Sequence, residues 1–221
     1  MPPPPGEENT PVTTSLRDME AYNITSTDHQ VIIRHGNKIG LPEIYNTYIT
    51  KEYLNDYEGI IFVHDDVYID DPKFLEKLRT HFKEGYSVVG LAGAGSAKIG
   101  KPALWHLMSE RGHQAGAVAH PYNDTTTYVT AFGPTPRPCL IMDGLFLAIN
   151  CEKFKKTPVK FDEQFTFHHY DLDFCLQCNE HKHKLVAINI NVIHNSPGLL
   201  NPDSKMFLDS QDKFIKKYAK N

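Results

Sequence analysis

Apolar residues in this chain fall into short runs of strand length, separated by stretches with helical spacing. The clearest run, Gly59–Val63, is closed abruptly by His64-Asp65-Asp66. Gln30–Arg34 is a second expected strand, ending in the turn-prone His35-Gly36-Asn37, and Ser87–Leu91 a third. A short strand is also expected near Val12–Leu16. Leu41–Leu54 reads as one helix with Pro42 in its first turn, where a missing N–H costs nothing. Behind Asp70-Asp71, Pro72 opens a helix running to Lys83, with Phe74, Leu75, Leu78 and Phe82 at helical spacing. From Ala92 to Pro138 the periodicity fails, which predicts a long irregular stretch of the kind that binds something. Order returns with a strand over Cys139–Ile149, interrupted at Asp143-Gly144. A helix over Asp171–His183 and a strand over Leu185–Ile193, ending at His194, complete the pattern. This alternation predicts an α/β fold, with a mixed, mostly parallel central sheet flanked by helices. Residues 1–10 (MPPPPGEENT) are expected to form a disordered tail and residues 11–221 a single domain.

The 221 residues suit one domain with a substantial core. A net charge of −4 leaves no basic surplus, so no nucleic-acid partner is expected. Lys213, Lys216, Lys217 and Lys220 are expected on a solvated face near the negative end of a last helix. No apolar run is long enough to predict a membrane span. The four cysteines make no secreted disulfide framework, which points to a reducing, cytoplasmic setting.

Chemistry-bearing residues gather where expected strands and helices end. Ligands of open α/β sheets sit beyond the carboxyl ends of strands, and carboxylates there suit a hard divalent cation that in turn holds a phosphate. Asp66 is the expected direct ligand, with Asp65 turned toward a ribose or a metal-bound water. His64 is either close to that site or an ordinary half-buried strand histidine. Asp171 and Asp173 open a helix about 200° apart, so they do not share a face. Asp171, at the boundary, can cap the helix and still offer an ionised oxygen as general base, while Asp173 complements the helix dipole. His194 ends a strand and is a plausible third metal ligand, since Mn²⁺ accepts mixed nitrogen and oxygen donors. Cys175-x-x-Cys178 with His181 and His183 suggests zinc, but the set lies within one helical segment and lacks a second pair, so packed helix residues are expected.

Taken in order, Gly40-Leu41, Tyr45-Asn46, Ile60–Val67, Asp143-Gly144, Phe161-Asp162-Glu163, Tyr170-Asp171-Leu172-Asp173-Phe174 and His194 resemble the GT-A-fold, nucleotide-sugar-dependent glycosyltransferases of the family 2-like branch, including small soluble bacterial and large-virus members. The resemblance implies inverting transfer of a hexose or deoxyhexose from a nucleotide-diphosphate sugar, UDP above others, to a hydroxyl of a glycan or glycoconjugate. It implies Mn²⁺ or Mg²⁺ as cofactor. Asp66 matches the second Asp of the family's Asp-x-Asp metal motif, with His64 in the place of the first, and Asp171 matches the base. His64, Asp65, Asp143 and Gly144 fall to the donor, and Trp105 and Asp173 to the acceptor or the sugar. Two other classes use similar residues: a non-catalytic nucleotide-sugar or glycan-binding module, and a two-acid glycoside hydrolase.

Overall fold

The computed structural model describes residues 10–21, 29–34, 36–123, 126–196 and 202–219. It opens with three helices, α1 (Pro11–Ala21), α2 (Leu41–Asn46) and α3 (Lys51–Asp56), followed by strands β1 (Gly59–Val63) and β2 (Val67–Ile69). Helix α4 (Phe74–Lys83) leads into β3 (Val88–Gly90), β4 (Ala92–Ala94) and a long hairpin of β5 (Gln114–Asn123) and β6 (Thr126–Gly133). Then come β7 (Arg137–Cys139), β8 (Ile141–Met142), β9 (Phe146–Asn150), α5 (Cys151–Lys156) and α6 (Tyr170–Glu180). Strands β10 (Leu185–Ala187) and β11 (Val192–His194) and helix α7 (Lys205–Tyr218) close the fold.

The strands form two sheets, ordered β1-β9-β3-β10-β7 and β2-β11-β5-β4-β8, with β6 added to β5. Of the nine strand pairings among the described residues, only β10 with β3 and β11 with β5 are parallel. The expected α/β class is present, but its sheets are mixed and antiparallel pairs predominate. Strand β9, every residue of it buried, lies between β1 and β3 and explains the unbroken apolar run Phe146–Ile149. Around it pack α5, on β1 and β9, and α6, on β8 and β10.

Among the described residues the chain passes between the sheets seven times, and four of these passages join strands along one seam with no helix between them: β1 to β2, β3 to β4, β8 to β9 and β10 to β11. Backbone bonds across the seam tie them together, from His64 N–H to Leu145 O (3.1 Å), Asp143 N–H to Ala92 O (2.9 Å) and Asn195 N–H to Asp66 O (2.8 Å). The break expected at Asp143-Gly144 is one of these crossings, and the run Leu185–Ile193 divides into β10 and β11 for the same reason.

Several local expectations change. Val12–Leu16 is helical: Pro11 opens α1, Thr10 caps it through Thr13 N–H, and Val12, Ser15 and Leu16 turn inward at helical spacing. Leu41–Leu54 breaks into α2 and α3, because the Thr47 hydroxyl bonds back to Ile44 O and Thr50 is extended. Gln30–Arg34 joins no ladder, and His35 and residues 1–9 of the expected tail lie outside the described residues. The expected irregular stretch contains β4 and the β5–β6 hairpin. Strand β6 is largely exposed on both faces, so it carries no alternation for the eye to find. No helix among the described residues is long and apolar enough to cross a membrane.

Candidate active site

The seam between the sheets is where the polar residues converge. His64, Asp65 and Asp66 follow β1, Asp143 and Gly144 lie between β8 and β9, and His194 ends β11. Ligand atoms of His64, Asp66 and His194 all lie within 4.8 Å of one another. His194 Nε2 is 3.4 Å from Asp66 Oδ1, an oxygen shut off from solvent that makes no well-formed hydrogen bond. A buried carboxylate oxygen without a proper donor, facing two imidazoles, is a donor set that suits a divalent cation. Contact with His194 holds the Asp66 carboxyl below its ordinary range. Burial works against charge on His194, but the Asp66 contact outweighs it and its pKa is raised. Burial dominates at His64 and lowers its pKa in spite of Asp143 and Asp66.

Beside this cluster lies an acid pair. Asp171 Oδ2 accepts from Gly144 N–H (2.8 Å) and Oδ1 from Leu172 N–H (2.9 Å). Burial and the nearby Asp143 carboxylate nonetheless push the Asp171 pKa up to about 7. The expectation of a simply ionised helix-terminal acid therefore fails, because desolvation and a like charge exceed what the helix end returns. Asp143 is held by Trp105 Nε1–H (2.9 Å, to Oδ2) and Leu145 N–H (3.0 Å, to Oδ1), and its charge acts on His64, His194 and His106 as well. Tyr170 joins the two groups: its hydroxyl donates to Gly144 O (3.1 Å) and lies 2.9 Å from His64 Nε2. A Cβ at position 144 would sit 2.3 Å from that hydroxyl oxygen, so glycine is required by Tyr170 rather than by a ligand.

Other expected residues sit elsewhere or act differently. Asp65 is exposed and helps line a cavity of about 480 Å³ that runs along β1. Apolar residues and tyrosines dominate its wall, among them Ile33, Ile61, Tyr45, Tyr48 and Tyr53. The expected nucleotide-side residues did not include these, although Tyr45 stood in the recognised pattern. Trp105 is only 6% exposed, edge-on to Phe132 (4.6 Å) and bonded to Asp143, so it positions that acid and has no free face for a sugar. Asp173 is 0% exposed and turned away from the seam into a network with Lys217 Nζ (2.6 Å), Tyr218 (2.7 Å) and Gln177 (2.6 Å). Contact with an acceptor is ruled out for it by burial, and Lys217 is correspondingly paired instead of solvated. Asn46 and Phe161, two further pattern residues, bracket each other through paired side-chain-to-backbone bonds of 2.9 Å. Cys175 and Cys178 are buried, with burial raising both thiols, and they belong to no ligand cluster among the described residues.

The sequence profile described as "Glycosyltransferase like family" matches residues 30–219, most of the chain. The chain belongs to this glycosyltransferase-like family. Membership supports a role in glycosyl transfer, with a nucleotide-sugar donor and a glycan acceptor in general terms. The chain is also similar to the solved structure titled "Crystal Structure of A197 from STIV", at 16% identity and a TM-score of 0.49, over 82% of this chain and 78% of that one. No curated protein matches it. In family terms, the matched span takes in the His64–Asp66–His194 cluster, the Asp143–Asp171 pair and nearly all of the cavity wall.

Proposed function

We propose that this chain is a metal-dependent, inverting glycosyltransferase that moves a hexose or deoxyhexose from a UDP-sugar to an acceptor hydroxyl of a glycan or glycoconjugate. The observation that carries the reading is the convergence of His64, Asp66 and His194, chain-distant residues with ligating atoms within 4.8 Å, beside a carboxyl whose pKa is about 7. His64, Asp66 and His194 are the residues that would hold Mn²⁺ or Mg²⁺. Such a cation, when bound, stabilises the negative charge that develops on a departing diphosphate.

The chain's own groups supply the rest. The β1 cavity offers tyrosine rings and apolar walls to a nucleoside, and its lining takes in His64 and Asp66 of the cation cluster. Asp171 takes the proton of the attacking hydroxyl, and a carboxyl near neutrality is well matched to that task. Asp143 raises the proton affinity of Asp171, and Trp105 fixes Asp143 in place. Because the base is distinct from the leaving diphosphate, attack from the opposite face gives inversion.

UDP release from UDP-glucose, UDP-galactose and UDP-N-acetylglucosamine, measured with and without EDTA, tests the reading, with product anomers assigned by NMR. Asp66→Ala is expected to lose Mn²⁺ binding by calorimetry on the metal-free protein, and turnover with it. Turnover indifferent to chelator would remove the metal role, and retained anomeric configuration would remove inversion.

A further inference from the structure

The residue just before the Tyr170–Asp171 pair is in an unusual state. His169, the N-cap of α6, has φ 66° and ψ 2°, a left-handed conformation that L side chains seldom adopt. Such strain persists only where the surroundings over-determine it, and it gathers at working sites. Here α7 supplies the surroundings. His169 is 5% exposed, and its ring packs on Phe207 (4.8 Å) and Phe214 (5.6 Å). Its Nδ1 lies 2.9 Å from Ser210 Oγ, whose own proton goes to His168 O (2.7 Å). Ser210 has one proton to give, so Nδ1–H is the donor of the first bond, and burial, which lowers the pKa of His169 to about 4, keeps the imidazole neutral. Its Nε2 is buried without a partner.

The same face of α7 reaches the other supports of the acid pair. Gln211 Oε1 accepts from Ala103 N–H (2.8 Å), two residues before the Trp105 that holds Asp143. Lys217 and Tyr218 fasten Asp173 in the first turn of α6. Positions 207, 210, 211, 214, 217 and 218 form one helical stripe, and each contacts a segment that leads to Asp171 or Asp143.

We propose that α7 is the positioning brace of the acid pair, with His169, locked by Ser210, setting where Asp171 stands relative to Asp143. The proposal rests on the reading of Asp171 as the base. His169 and Ser210 are positioning residues, since both act through α6. Held this way, the first turn of α6 delivers Asp171 to Gly144 N–H and Tyr170 to His64 in one movement.

Donor hydrolysis on the three UDP-sugars decides it, with Tm recorded for every variant. Ser210→Ala and His169→Gly are expected to lower kcat roughly 10- to 100-fold, the scale of a misplaced catalytic group, with donor KM unchanged. His169→Asn, which accepts the left-handed backbone and keeps a polar contact, is expected to restore most of the loss. Ile215→Ala trims a partly buried α7 side chain that packs on the core and is not one of the stripe positions, and is expected to lower Tm while leaving kcat alone. Should His169→Gly not fold, Ser210→Ala against Ser210→Thr decides by itself. Wild-type kcat in Ser210→Ala, or an equal loss in Ile215→Ala, overturns the brace alone. A wild type that turns over none of the donors overturns the transferase reading and the brace together.

Discussion

Asp171 carries two opposite demands at a single carboxyl, since a base must lose its proton and a buried acid resists doing so. With its pKa at about 7, transfer is expected to rise with pH through neutrality and level off above it. Asp171→Asn should lose turnover by two or more orders of magnitude while UDP still raises its Tm. Stability gives an independent check with a fixed sign. The folded value lies above the ordinary 3.8, so between these values the native state keeps a proton that the unfolded chain has lost. Rising pH therefore drains stability from the wild type, and Tm of Asp171→Asn minus Tm of wild type should increase from pH 4 to pH 8. A flat difference would mean that Asp171 titrates normally. Gly144 offers a second test at this scale. An added Cβ would press on the Tyr170 hydroxyl at 2.3 Å and on Asp171 Cβ at 2.9 Å. Gly144→Ala should cost roughly 1–3 kcal/mol by overpacking, read from urea denaturation. It should also lower turnover about 100-fold, because both neighbours must move.

Among the elements, α6 and α7 meet through a buried ion pair that is easily misread as a stabiliser. Burial dominates at Asp173 and keeps its pKa raised although Lys217, Tyr218 and Gln177 all bond to it. Desolvation thus outweighs the attraction, the usual outcome for a carboxylate at 0% exposure. Lys217→Met should cost roughly 2–3 kcal/mol, since it leaves the carboxylate buried beside neutral partners alone. Adding Asp173→Asn should recover at least half of that loss, and a double-mutant cycle in urea measures the coupling. No recovery would show that the lysine stem, not its charge, holds the helices. Elements also differ in how plainly the sequence announced them. Phe74, Leu78 and Phe82 fix α4 by periodicity, whereas Thr126–Gly133 forms β6 with little burial to pattern it.

At the scale of the whole molecule, the cavity of about 480 Å³ lies between β1 and the stretch Gln30–Arg34, which reads as a strand yet forms no ladder. A nucleotide seated there would bury the covering stretch. Saturating UDP with Mn²⁺ is expected to slow amide exchange of Gln30–Arg34 tenfold or more, with β3 and β9 unchanged. Protection elsewhere, with none at these residues, would move the nucleotide site away from β1.

The sequence by itself determined the strands that are buried on both sides, the acids that close them and the order in which His64–Asp66, Asp143, Asp171 and His194 occur, because local periodicity and chain termination are written in neighbouring residues. It separated Asp171 from Asp173 by their places at the helix start, but could not show that Asp173 is sealed against Lys217 and Tyr218, which depends on where α7 lies. Nor could it turn Trp105 from a sugar platform into a hydrogen-bond donor for Asp143, or reveal that Gly144 makes room for Tyr170. Those outcomes rest on distances between segments far apart in the chain, and burial, like-charge proximity and steric room exist only once the two sheets have met along their seam.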